Sequence, residues 1–150
     1  MRGRLMVLLL LAAGVAGCTQ PAGVPAPTTL SQPWMFGIER MRGDPEPQLP
    51  FTNRFIVDLS AMPKAQVVFV GSDRNSFLFN AWQGGRVLVS PWLHGEGNCM
   101  NVTYTLFQAG EQQGVYGLVV GPLPAGTEPD TACVDRAAAQ FYQALAAQGL

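Results

Sequence analysis

The densest run of reactive side chains in the sequence is His94-Gly95-Glu96-Gly97-Asn98-Cys99, which offers an imidazole, a carboxylate and a thiol. His94 is the only histidine of the chain. Three such groups raise the prospect of zinc, but zinc takes four ligands at recurring spacings, and a thiol ligand must stay reduced. No fourth ligand stands at such a spacing, so no metal and no cofactor are expected. For nucleophilic catalysis there is no Gly-x-Ser-x-Gly elbow. Glycoside hydrolysis needs two carboxyl groups flanking the bond, and the spacing of Asp58, Asp73, Glu96 and Glu111 singles out no pair. No residue is therefore assigned a catalytic role. What the run does suit is contact. Trp92 lies in Ser90-Pro91-Trp92-Leu93-His94-Gly95, a turn-rich stretch, where an aromatic side chain could stack on a sugar or a protein. Trp92, His94 and Glu96 form the candidate binding loop.

The first residues bear on where such a loop would work. Met1-Arg2-Gly3-Arg4 is basic, residues 5–13 are apolar without a break, and Gly14 to Gly17 are small or apolar. That is the layout of a secretory signal peptide. The apolar stretch falls short of the roughly 20 residues a membrane-crossing helix needs. Val15-Ala16-Gly17-Cys18 resembles the lipobox of bacterial lipoproteins. The resemblance implies that 1–17 is a signal peptide removed before Cys18. It also implies that the Cys18 thiol carries a diacylglycerol and that the new amino terminus is acylated. One acyl chain binds a membrane reversibly, whereas two or three anchor stably. Thr19 is not the Asp that retains lipoproteins of two-membrane bacteria at the inner membrane, so in such a source the outer membrane is expected. Residues 19–33 (TQPAGVPAPTTLSQP) carry four prolines among small polar residues. Such a segment favours extended, polyproline-like conformations and, at about 3.1 Å per residue, would hold a domain some 40 Å from the head groups. Lipidated Cys18 and this tether occupy 18–33, and one globular domain is expected over 34–150.

Charge excludes one class of partner. Of nine basic residues, Arg2 and Arg4 leave with the signal, so seven face ten acidic residues, a net charge near −3. The remaining Arg40, Arg42, Arg54, Lys64, Arg74, Arg86 and Arg136 are scattered singly, whereas a nucleic-acid surface clusters them. No nucleic acid is expected. Export also decides the other two cysteines. In an oxidising compartment an isolated pair forms a disulfide, and Cys99 with Cys133 has one intramolecular pairing. Closing that loop stabilises by roughly 3–4 kcal/mol in the chain-entropy account.

The elements that hold these residues read mostly as strands. Residues 54–59 (RFIVDL) and 66–70 (QVVFV) are rich in β-branched and aromatic side chains. Residues 76–82 and 86–89, around Gly84-Gly85, read as a hairpin. A second hairpin pairs 102–107 with 115–120 about Ala109-Gly110-Glu111. In its first strand Val102, Tyr104 and Leu106 share one face and Thr103 and Thr105 the other. From Val134 the period becomes helical. Val134, Ala138, Phe141 and Leu145 fall on one face, Asp130 or Thr131 can cap the start, and Gly149 sits past the end. The expected fold is α+β: an antiparallel sheet with a C-terminal helix on one face, stapled by Cys99–Cys133.

Gly97-Asn98-Cys99-Met100-Asn101, the strand with Tyr104, the strand 115–120 followed by Gly121-Pro122, Thr131-Ala132-Cys133, and the helix with Phe141 and Leu145 form a pattern along 97–145. This segment resembles the META, or HslJ-like, domain of bacterial envelope lipoproteins. The resemblance implies a small β-rich domain without catalytic chemistry, linked to envelope stress or antibiotic tolerance. The expected function is therefore a membrane-anchored envelope lipoprotein whose domain binds an envelope protein or glycan, or has a structural role. Two alternatives use the loop 90–98: a hydrolase or glycan-processing enzyme built on His94 and Glu96, and an inhibitor of a lytic enzyme such as lysozyme.

Overall fold

The computed structural model describes residues 28–43, 47, 49–71, 73–79, 85–94, 98–108, 111–123 and 129–150. The chain runs β1 (Trp34–Glu39), β2 (Arg42–Gly43), α1 (Leu49–Ser60), β3 (Ala65–Gly71) and α2 (Arg74–Phe79). It continues through β4 (Gly85–Leu93), β5 (Asn98–Gln108), β6 (Glu111–Pro122) and α3 (Thr131–Ala147). The sheet has the order β3-β1-β4-β5-β6, with the short β2 beside the far end of β4. The signal segment, Cys18 and the tether up to residue 27 lie outside the described residues.

The fold is α+β with a C-terminal helix and a Cys99–Cys133 disulfide, as the sequence predicts. Its sheet is mixed. β4, β5 and β6 are antiparallel, but β3 and β4 both run parallel to β1. A parallel pair needs a crossover element between its strands, and the two crossovers account for two corrections. Residues 54–59, expected as a strand, belong to α1. Pro50 stands at its second residue, where a fixed φ suits a helix start. Thr52, Phe55 and Leu59 are the buried positions, a spacing of three and four rather than two. Ile56 and Val57 favour strands in isolation, but their neighbours impose the helical period. Residues 76–79, expected as the first arm of a hairpin, belong to α2, so β4 finds its antiparallel partner in β5. Residues 80–84 lie outside the described residues.

The expected loop from Ser90 is also corrected: β4 runs through Pro91 to Leu93. Pro91 lacks an N–H, and it sits where β1 has left β4 (last pair Ile38–Val89) and β2 has not yet joined it (first pair Arg42–Trp92). That gap in the ladder is where a proline costs least. The second hairpin stands as expected and is longer, spanning all of β5 and β6. Val102, Tyr104 and Leu106 are buried, and Thr103 is exposed.

The core lies between one sheet face and the helices α1 and α3. Phe36, Ile38, Val87, Val89, Val102 and Tyr104 meet Phe55, Leu59, Phe141 and Leu145 there. Phe141 is its hub, with ring centroids 6.2 Å from Phe36, 6.3 Å from Phe55 and 5.2 Å from Tyr104. Val134, Ala138, Phe141 and Leu145 are buried, as the helical period requires, and Asp130 caps α3 by accepting from the Cys133 N–H at 2.9 Å. Two buried hydroxyls in this core are paired: Thr52 Oγ1 accepts from Met41 N at 3.0 Å, and Tyr142 OH donates to Pro63 O at 2.6 Å while accepting from Leu30 N at 3.2 Å. Leu30 is buried four residues ahead of β1.

The opposite face is covered on one half alone. Phe77 of α2 lies over β1 at Gly37, where a Cβ would come 2.7 Å from its ring. Arg86 and Leu88 of β4 are buried on the same side, and Arg86 donates to Phe77 O at 3.0 Å.

Candidate functional site

Cys99 is the second residue of β5 and Cys133 the third of α3, with Cα atoms 5.8 Å apart. Their bond removes any thiol from the neighbourhood of His94. His94 follows the last residue of β4, and its N–H donates to Cys99 O at 3.1 Å. Its Nε2 is buried without a partner, as is Oδ1 of Asn101 on the adjacent strand. Asn101 is the register partner of Trp92, so both project from the face opposite the core. Trp92 is 43% exposed. The structure therefore sets Trp92 and Asn101 side by side with His94 just beyond. Glu96 lies outside the described residues. Buried unpaired polar atoms are uncommon and mark positions a water or ligand can satisfy.

Two residues along β4 from Trp92, a charged cluster occupies the same face. Glu39 of β1 accepts from both Nε and Nη2 of Arg74, the latter at 2.9 Å, and from the Ser90 hydroxyl. Arg74 Nη2 also reaches Ser90 Oγ at 3.4 Å. Burial alone would push the Glu39 carboxyl up. Hydrogen bonds from Arg74 and Ser90, with the charges of Arg74 and Arg42, outweigh it and hold Glu39 below its ordinary value. A general base works best with a pKa near the operating pH. An arginine-clamped carboxylate is a poor base, and it leaves Ser90 without a partner that could take its proton. The cluster is better suited to latching α2 onto the sheet and to presenting polar groups. Sequence reasoning missed it because Glu39, Arg74 and Ser90 are far apart in the chain. Only the parallel pairing of β1 with β4 and the placement of α2 bring them together.

A second feature without a sequence signal is a cleft of about 250 Å³ at the other end of the sheet. Trp34 lines it with Gln32, Gln108, Gln113 and Gln148. Gln148 Nε2 donates to Tyr104 OH at 3.0 Å, and the Trp34 indole N–H is buried without a partner. Neutral amides recruited from the entry to β1, the β5–β6 hairpin and the end of α3 give it hydrogen-bonding capacity without charge. Among the described residues no group of three or more His, Cys, Asp and Glu gathers to hold a metal. None of the described helices is long and apolar enough to cross a membrane.

The uncovered face continues across β5 and β6. Val115 and Val119 of β6 are each 59% exposed, with Thr103 of β5 exposed between them and Trp92. Tyr116, on the core side of β6, stacks on Tyr104 at 5.3 Å and is 41% exposed. The arrangement offers apolar contact and hydrogen bonding on a rigid sheet.

No family model matches the sequence, and no curated protein matches it. Among solved structures, one of an uncharacterized protein is similar with a TM-score of 0.35 and 11% identity, covering 80% of this chain and 92% of its own. Protein XCC0632 of Xanthomonas campestris, of family DUF330, is similar with a TM-score of 0.34 and 14% identity, covering 82% of this chain and 89% of its own. Neither likeness bears on function.

Proposed function

We propose that the chain is a lipid-anchored protein of the bacterial envelope whose folded domain binds another component and performs no chemistry. One observation carries the reading. The cysteines and the Glu39 carboxylate are committed to the fold, while apolar side chains of the sheet face are left bare. Cys99 and Cys133 are bonded to each other, Glu39 is clamped by Arg74 and Ser90, and yet Trp92, Val115 and Val119 remain exposed. The basic and apolar start of the chain and Val15-Ala16-Gly17-Cys18 support the address, and a disulfide is the bond an exported domain would keep. The likeness of 97–145 to the META domain supports a role without catalysis. Residues 19–27 would serve as the tether, since Leu30 is already part of the core.

Fractionation of the full chain tests the address. The wild type should stay with membranes through a high-salt wash and incorporate labelled fatty acid. Cys18→Ala should lose both properties. A Cys18→Ala protein still held in high salt would overturn the anchor. Incubation of the purified domain with peptidoglycan tests the absence of chemistry: no bond cleavage should be detected. Cleavage that His94→Ala abolishes with an unchanged melting curve would instead favour a hydrolase built on His94.

A further inference from the structure

We infer that β6 is the pairing edge for a second copy of this chain, joined antiparallel about a twofold axis through Gly117. β6 is the last strand of the sheet, and among the described residues nothing pairs with its outer edge. Natural edge strands are kept from open-ended pairing by charged side chains, prolines or short length. Here the run from Gln112 to Gly121 holds no charged residue and no proline, within a strand of 12 residues. The register irregularity it shares with β5, near Gln113, lies at one end.

The centre of the strand is self-complementary. Val115-Tyr116-Gly117-Leu118-Val119 is nearly the same read in either direction. Antiparallel pairing about Gly117 sets Val115 opposite Val119 of the second copy, twice, on the uncovered face. Tyr116 meets Leu118 of the second copy on the helix face. Cross-strand neighbours on one face are the pairs that stabilise a sheet. Both valines are largely exposed in the single chain, so this pairing would cover surface that the fold leaves bare.

Gly117 lies at the centre of this run. A Cβ there would meet nothing within 4 Å, and its φ is not positive. Neither packing nor backbone conformation within one chain requires glycine, so a side chain can be added at the axis without disturbing the single chain.

The occupant follows from symmetry. A twofold normal to the sheet keeps both helix layers on one side. The described chain also begins on that side, where Thr28 O accepts from Gln143 Nε2 of α3 at 3.2 Å. Two tethers starting there can reach one membrane, a point that rests on the proposed anchor. The strand argument does not depend on it.

Cysteine crosslinking of the full chain in its own membranes tests the pairing. Gly117→Cys fills open space, and mild oxidation should convert most of it to a covalent dimer. Thr103→Cys, the β5 register partner of Gly117, should not crosslink. Strands about 4.8 Å apart put its two copies roughly 14 Å from each other, beyond the ~7 Å limit of a disulfide. Absence of a Gly117→Cys dimer, or crosslinking through Thr103→Cys instead, would overturn the proposal. Charge reversal gives a second readout in detergent-solubilised protein. Val115→Lys with Val119→Lys should weaken association at least tenfold, and Val115→Lys with Val119→Glu should restore it. Equal association of both double variants would also overturn it. Adding Cys18→Ala separates the two readings, because a chain released from membranes that still crosslinks at Gly117→Cys keeps the pairing whatever holds the wild type there.

Discussion

The sheet divides at β4 into two halves made of similar residues and finished differently. β3 and β1 run parallel to β4, with α1 and α3 against one face and α2 against the other. β5 and β6 run antiparallel, with α3 against one face and none of the described elements against the other. In the covered half Phe36 and Ile38 meet the helices and Leu88 is buried on the α2 side, and the exposed apolar side chains, Val68 and Phe69, stand on the edge strand β3. In the bare half Val115, Val119 and the neighbouring Trp92 contribute little to one chain's stability. Buried apolar area explains folding, and apolar area left exposed on a regular sheet calls for a partner.

Substitution should expose that contrast most strongly at Phe141. Its ring touches Phe36 and Phe55 on the covered side and Tyr104 on the other. Phe141→Ala should cost roughly 3–5 kcal/mol in denaturant unfolding, the usual range for emptying a buried aromatic site. Val119→Thr, on the bare face, should change the midpoint within about 0.5 kcal/mol. Comparable losses at the two positions would mean that the bare face is packed after all.

The disulfide is the covalent link between β5 of the bare half and α3. Replacing Cys99 and Cys133 together by Ser should cost about 2–5 kcal/mol. Hydrogen exchange should accelerate first at the start of α3, before β1 and β4 lose protection. Uniform acceleration across the domain would mean that α3 is held by packing alone.

These two halves also differed in how legible they were. α3 could be read because Val134, Ala138, Phe141 and Leu145 repeat with the helical period and Asp130 precedes them. β5 and β6 could be read because they alternate about a short turn, so their partners are local. The parallel half hides its pairing. β1 meets β3 and β4 through crossovers, and no local pattern states which strands will be neighbours. α1 was obscured by its own composition, since Phe55, Ile56 and Val57 favour a strand until Pro50, Thr52 and Leu59 are read with them. The same separation hid the polar cluster, whose Glu39, Arg74 and Ser90 meet through that pairing. Trp92 could be flagged as a contact residue from its type, but its place on a strand could not, because Pro91 suggests a turn wherever the gap between β1 and β2 is unseen.

Glycines give a sharper comparison. Gly37 in the covered half and Gly117 in the bare half are both strand residues. A Cβ at Gly37 would lie 2.7 Å from the Phe77 ring, whereas one at Gly117 meets nothing within 4 Å. Gly37→Ala should therefore cost roughly 1–3 kcal/mol through overpacking. Gly117→Ala should stabilise the dissociated chain by about 0.4–1 kcal/mol, because it narrows the unfolded ensemble at no steric cost. Thermal unfolding at low concentration measures both. Destabilisation by Gly117→Ala under those conditions would place an intrachain contact where open space is assigned.

The smallest effect expected is a pH dependence confined to the covered half. Arg54 and Asp58 of α1 meet Asp135 of α3: Arg54 forks onto Asp135 at 2.6 and 3.0 Å and stands 3.5 Å from Asp58. The two carboxyl groups also act on each other, which favours a proton on one of them. Asp58 is that one. Burial first, then the hydrogen bond and charge of Asp135, push it up to about 6 against the pull of Arg54. Asp135 is held below its ordinary value, first by its hydrogen bond from Arg54 and then by that with Asp58. An unfolded aspartate loses its proton near pH 4, approximately. Between about pH 4 and 6 the folded chain therefore binds more protons than the unfolded one, and stability must fall as pH rises through that window. The contribution of Asp135 has the opposite sign, but it is lost only as pH falls below roughly 4, outside the window. Because the trio sits near the surface, solvent screening keeps the change under about 1 kcal/mol. Asp58→Asn supplies a permanent donor to Asp135 and should remove the slope. Urea midpoints measured at about pH 4.5 and 6.5 decide it: the wild type should be lower at the higher pH, and the variant level or slightly higher there, because Glu39, held below its ordinary value, contributes with the opposite sign. Exchange rates in α1 and α3 should follow the same course while β6 stays unchanged. A wild-type midpoint that rises over the interval would mean that Asp58 is ionised throughout, and that α1 and α3 are joined by Arg54 alone.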